Sequence, residues 1–187
     1  MNRREAIAAV GWLMGGTILG ADLIVACTSK APKVNGLFDQ DQVAYLDEVG
    51  ETILPTTSTP GAKAAQVGSF MAVMVQDCYK KEDQQVFLKG LQQLEEASKK
   101  KLNKGFLKAT PQERTALLTQ LDAEQKEHQK NKKEEEPNHY FRMMKELTLL
   151  GYFTSEVGAT KALRYLPVPG RYDGCMPYKK GDRAWAI

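Results

Sequence analysis

The sequence is poor in the residues from which active sites are most often built. Two histidines occur, His128 and His139, and three cysteines, Cys27, Cys78 and Cys175. Cys-x-x-Cys-His is missing, which excludes covalent haem attachment through that motif. A Gly-rich phosphate loop and a dinucleotide fingerprint are also missing, so nothing in the chain announces a nucleotide or flavin site. Each histidine follows a carboxylate by one helical turn (Glu124 and Glu135), but no third ligand stands at a useful spacing for a metal. Ser58 and Ser155 have no histidine nearby in sequence that would make either a nucleophile. The expectation is therefore a chain with no catalytic residue, no metal ligand set and no cofactor of its own.

Charge of one sign is lacking too. Lys and Arg number 26 against 23 Asp and Glu, a formal net charge of +3. A nucleic-acid partner would call for clustered basic residues on one face, and none are clustered. No internal repeat is visible, and no alternating pattern long enough to predict a strand. Beyond the amino terminus no apolar run could cross a bilayer.

What is present starts at that terminus. Asn2-Arg3-Arg4-Glu5-Ala6-Ile7 resembles a twin-arginine export motif, with Ala6 where a Phe is usual. The apolar, Gly-rich run from Ala6 to Ala21 is shorter than the roughly 20 residues of a spanning helix. Positive start, apolar middle and small-residue exit describe a cleavable signal. Leu23-Ile24-Val25-Ala26-Cys27 then looks like a lipobox. Cleavage there would leave Cys27 as the lipid-attachment site, where two acyl chains give stable anchoring. An ordinary signal peptide, or an uncleaved anchor, is the plainer alternative. On the lipoprotein reading the chain sits on the periplasmic side of the envelope, exported folded by the twin-arginine route.

Residues 28–38 read as a polar tether. About 160 residues remain after the signal, enough for one domain with a core. Over 39–163 the apolar residues recur at helical spacing. Val43, Leu46, Val49 and Ile53 form one stripe, stopped by Pro55. Val67, Phe70, Met71, Met74, Val75 and Cys78 form another, which places Cys78 on the buried face. Phe87, Leu88, Leu91 and Leu94 mark a third helix ending in Lys99-Lys100-Lys101. Thr110-Pro111-Gln112-Glu113 is a capping-box start for a fourth, with Leu117, Leu118 and Leu121 inward. Asp122 to Glu136 is densely charged and reads as a solvated helix extension or a mobile loop. A fifth helix over about 138–153 turns Tyr140, Phe141, Met144, Leu147 and Leu150 inward, and a short helix near 155–163 follows. The methionines of these faces read as core packing rather than haem ligands. The fold class is all-α: a single bundle of about five helices with an irregular extended carboxyl-terminal tail.

That tail, 164–187, is broken by Pro167, Pro169, Gly170, Gly174, Pro177 and Gly181, which rule out any long regular element. Tyr165, Tyr172, Tyr178 and Trp185 punctuate it, with Arg164, Arg171 and Arg183 among them. Tyr, Trp and Arg dominate protein–protein hot spots. Either the tail wraps a partner or it folds back on its own bundle. Cys78 and Cys175 form a disulfide with each other, bond a partner chain, or stay free.

Three stretches carry a family resemblance. They are the twin-arginine leader, Glu51-Thr52-Ile53-Leu54-Pro55 with Thr59-Pro60-Gly61-Ala62, and Gly151-Tyr152-Phe153-Thr154-Ser155-Glu156-Val157-Gly158. The last continues through Leu166-Pro167-Val168-Pro169-Gly170 to Tyr172-Asp173-Gly174-Cys175. The chain resembles subunit 3, the small gamma-type subunit, of gluconate 2-dehydrogenase and related membrane-bound FAD-dependent sugar dehydrogenases. The resemblance implies a non-catalytic subunit that binds a large GMC-type flavoprotein and supplies its export signal. FAD would belong to that partner and haem c to a third, cytochrome subunit. Tyr152, Phe153, Tyr165, Tyr172, Cys175, Tyr178 and Trp185 are then the expected partner interface. The competing reading is a freestanding helical envelope lipoprotein that binds a ligand or acts as a scaffold.

Overall fold

The computed structural model describes residues 33–168 and 170–186. Arg3, Arg4 and Cys27 lie outside the described residues, as do Pro169 and Ile187. Val34 to Ile187 forms one compact unit. A short ribbon, β1 (Lys33–Asn35) and β2 (Phe38–Asp39), leads into helix α1 (Gln40–Ile53). Then come α2 (Val67–Cys78), α3 (Lys81–Leu102), α4 (Pro111–Asn131) and α5 (Tyr140–Thr154). The chain is mostly helical, as the apolar spacing implies.

Local chemistry sets the helix starts. The Gln42 N–H donates to Asp39 Oδ1 (2.8 Å) and the Asp39 N–H donates to Gln42 Oε1 (3.1 Å), a reciprocal cap for α1. Thr110 and Glu113 make the same arrangement at α4, with Pro111 in the first turn. For α2 the cap comes from another helix. The Gly68 N–H donates to Asp47 Oδ1 of α1 at 2.7 Å. A Cβ on Gly68 would lie 2.4 Å from the Val43 carbonyl oxygen, so only glycine lets α1 and α2 approach this closely.

Helix α5 is the centre of the bundle and packs against each of α1 to α4. Its Phe141, Met143, Met144, Leu147 and Thr148 are buried, the Thr148 hydroxyl donating to the Met144 carbonyl (2.8 Å). Leu46 and Val49, Met71 and Val75, Phe87 and Leu94, and Leu118 and Leu121 close around it. Met71, Met143 and Met144 are core residues, in line with the packing reading.

Three expectations need correction. Cys78 is exposed, not buried. It ends α2 one turn beyond Val75, the last buried position, and α3 engages that end through Gln84. The Gln84 amide donates to the carbonyls of Val75, Gln76 and Tyr79 (3.1, 2.9 and 3.2 Å), so the contact is to backbone and the position-78 side chain is left outside. Leu150 is 46 % exposed, because the inward face of α5 passes through Leu147, Thr148, Gly151 and Tyr152 instead. The charged stretch after Leu121 is helical to Asn131 and not wholly solvated. Gln125 is buried, and Asp122 pairs with Lys145 of α5 (2.6 Å).

Candidate functional site

The site is assembled where the bundle hands over to the tail. Helix α5 stops at Ser155, whose hydroxyl donates to the Tyr152 carbonyl (2.6 Å) and accepts from the Gly158 N–H (3.0 Å). A Cβ at Gly158 would fall 1.9 Å from the Tyr152 carbonyl oxygen, so this tight turn requires glycine. A π-helical turn, Gly158–Ala162, then delivers strand β3 (Arg164–Tyr165). Strand β4 (Trp185–Ala186) returns to lie parallel beside it, Arg164 opposite Trp185 and Tyr165 opposite Ala186.

This junction is a locked neck. The Arg164 N–H donates to the Ala184 carbonyl (2.8 Å) and its Nε to the Arg183 carbonyl (2.7 Å). A guanidinium nitrogen of Arg183 donates to the Lys161 carbonyl (2.8 Å). The Arg164 guanidinium lies over the Trp185 ring, 4.5 Å from its centroid, a contact worth about 0.5–1 kcal/mol at an exposed site. The tail is therefore a closed loop with fixed ends, not a free strand. Gly170 (φ +73°) and Gly181 (φ +95°) take turns that side-chain-bearing residues rarely adopt.

Among the described residues the loop contributes nothing to the core, and its large apolar side chains are exposed. Tyr172 is 96 % exposed and Tyr178 is 74 % exposed. A cleft of about 580 Å³ opens within the loop, lined by Tyr165, Leu166, Pro167, Tyr172, Met176 and Trp185, with Arg171 and Asp173 also on it. The structure thus brings Tyr165, Tyr172 and Trp185 together. It leaves Tyr178 and the exposed Cys175 on the same loop outside that lining, and Cys175 and Cys78 are both free thiols. Phe153 is at the surface, edge-on to Tyr152 (5.1 Å between centroids). Met176 was not legible as a site residue, because a single methionine in an irregular segment carries no periodic signal.

Tyr152 is a correction. It is 4 % exposed and cannot form a partner surface. Its hydroxyl donates to the Pro60 carbonyl (2.6 Å), tying α5 to the loop after α1. Glu51 holds that loop from the other side. Its Oε1 accepts from the Thr56 N–H (2.8 Å) and hydroxyl (2.7 Å), and its Oε2 from the Lys63 N–H (2.9 Å). The Thr56 hydroxyl in turn accepts from the Gly61 N–H (3.0 Å).

Two other places could have held chemistry. His128 and His139 do meet, with ring centroids 5.7 Å apart. His139 Nδ1 accepts from the Phe141 N–H (3.2 Å) and caps α5. Burial, then the neighbouring His128, pushes the His139 pKa down. Among the described residues no group of three or more His, Cys, Asp or Glu could hold a metal ion. A groove of about 630 Å³ runs beside Tyr45 and Glu95. There Glu95 Oε2 accepts from the Phe106 N–H (3.0 Å) and from the Tyr45 hydroxyl (3.4 Å), so its carboxylate is engaged in the fold.

No curated protein and no solved structure matches the chain. The family model for gluconate 2-dehydrogenase subunit 3 matches residues 40–170, from the first turn of α1 through the bundle, the Glu51 loop and the Arg164 side of the neck to the start of the tail loop. With most of its length matched, the chain belongs to the gluconate 2-dehydrogenase subunit 3 family, a family of dehydrogenase-complex subunits.

Proposed function

We propose that this chain is the non-catalytic small subunit of a membrane-associated, FAD-dependent sugar or sugar-acid dehydrogenase. In this reading it binds the GMC-type flavoprotein subunit through the tail loop and Phe153. The flavoprotein carries FAD and oxidises the substrate, and a cytochrome c subunit accepts the electrons. The family match over residues 40–170 is the observation that carries the reading. The exposed aromatic loop on a fixed neck supports it, because Tyr, Trp and Arg on a pre-ordered surface lose little conformational entropy on binding. The Arg3-Arg4 leader adds a role in export: a flavoprotein folded around FAD would cross the membrane with this chain as its signal carrier. Cys27 would hold the complex at the periplasmic face by its lipid.

Purification from the source membrane through a tag on this chain tests the reading. The expected eluate contains a large partner with flavin bands near ~370 and ~450 nm. A lone, colourless, lipidated chain would overturn it. Replacing Arg3 and Arg4 with lysine should strand the flavoprotein in the cytoplasm along with this chain. Normal export of the flavoprotein in that variant would remove the export role and leave the binding role standing.

A further inference from the structure

The tail cleft combines three features that bear on what fills it. Its lining is aromatic and aliphatic, with Tyr172, Trp185 and Met176 on its walls. Its ends are fixed by the Arg164–Trp185 neck, so the walls exist before any partner arrives. The loop that carries it has an excess of positive charge. The tail carries five cations (Arg164, Arg171, Lys179, Lys180 and Arg183) against two carboxylates (Asp173 and Asp182).

The use of those charges narrows the partner. Arg164 and Arg183 are committed to carbonyls of the neck. Asp182 accepts from the Lys179 N–H (3.0 Å) and Asp173 from the Cys175 N–H (3.2 Å), so both acids serve the loop's own turns. Arg171 reaches Asp173 only at 3.7 Å and is largely exposed. Among the described residues no carboxylate pairs with the ammonium of Lys179 or Lys180. Arg171 thus stands on the cleft, loosely paired with Asp173, and Lys179 and Lys180 are left without a carboxylate elsewhere on the loop that carries it.

From this charge pattern we infer that the cleft receives an acidic segment of a partner protein, with one large apolar side chain seated between Tyr172 and Trp185 and flanking carboxylates on Arg171, Lys179 and Lys180. An aromatic-walled pocket that takes one large apolar anchor is the usual anatomy of an interface hot spot, and complementary charge nearby adds on-rate and specificity. A concave pocket of this kind suits a protruding side chain, whereas a bilayer surface offers nothing to fill it. The inference rests on the reading of the tail as a partner surface and names the partner's chemistry.

Photocrosslinking in the intact, membrane-derived complex tests it. Tyr172 is replaced in the full chain by p-benzoylphenylalanine, the sample is irradiated, and the crosslinked segment is mapped by mass spectrometry. The expected product joins position 172 to a partner segment in which Asp or Glu flanks a large apolar residue. Arg171→Glu combined with Lys179→Glu and Lys180→Glu should then weaken retention of that partner by at least about tenfold and flatten its dependence on salt. Crosslinks to lipid, to the chain itself, or to a segment without carboxylates would overturn the inference, as would undiminished retention in the charge-reversed variant. These outcomes separate it from the broader reading. A flavoprotein that co-purifies but crosslinks elsewhere sinks the cleft and spares the subunit assignment. An acidic segment from a protein without flavin does the reverse.

Discussion

At the scale of single residues, Glu51 shows how a short motif becomes a joint. One carboxylate takes the Thr56 N–H, the Thr56 hydroxyl and the Lys63 N–H, and so pins both ends of the loop over Pro55 to Gly61. Gly61 is there because a Cβ would come within 2.3 Å of that carboxylate. Glu51→Ala leaves two backbone donors without their acceptor and should cost about 2 kcal/mol, read as a lower urea midpoint at unchanged slope. Glu51→Gln keeps one amide oxygen and should lose about half as much. If both variants unfold at the wild-type midpoint, the clamp does not stabilise the fold. The string from Glu51 to Ala62 could be picked out in the sequence, but its purpose could not. The bond that completes it joins Tyr152 to Pro60, 92 residues apart, and no local pattern encodes a contact at that range. For the same reason Tyr152 was legible as an aromatic and not as a buried one.

At the scale of elements, the helices were legible where spacing and caps are local. Thr110 and Glu113 announce the start of α4 at the distance their side chains bridge. The α2 stripe was legible as far as Val75, but spacing says nothing of where the neighbouring helices end, and Cys78 lies past that point. The cap on α5 was missed because histidine is not among the usual cap residues. That cap makes a pH prediction. His139 protonates less readily folded than unfolded, since burial and His128 on α4 oppose the charge while Glu124 on α4 favours it. The unfolded chain therefore takes up the proton first. The stabilising contribution is whole above about pH 6.5 and is lost as pH falls through the lower folded value. His139→Asn keeps a cap acceptor without titrating, so its urea midpoint should fall less than wild type between about pH 7 and about pH 5. Equal falls in the two proteins would show that the cap does not titrate. Asp122 acts in a separate window. Its pKa is held down to about 2 by Lys126 and Lys145. Its tie between α4 and α5 should persist at pH 5 and weaken only below about pH 4, and Asp122→Asn should erase that later loss.

At the scale of the whole molecule, the chain divides into a part that folds and a part that is presented. Among the described residues every buried hydrophobic side chain of the core lies between Phe38 and Tyr152, and the half-buried ones packed on them end at Ala162. The proline and glycine content of the tail made its irregularity legible, but not its closure. Two-residue strands have no pattern to read, and the neck pairs residues about twenty positions apart through backbone bonds. The division has a consequence for truncation. Ending the chain after Leu163 removes the neck and the loop, and no residue of the apolar core. The helical circular dichroism should be unchanged, and the thermal midpoint should move by less than about 4 °C, the shift roughly expected from 1 kcal/mol in a domain of this size. Retention of the partner should nevertheless be lost, since the aromatic surface leaves with the loop. A midpoint that collapses would mean the tail is part of the fold, and its exposed aromatics would then need no partner to explain them. A truncated chain that still holds the partner would move the interface onto the bundle, with Leu150 and Phe153 the exposed apolar residues of α5 left to carry it.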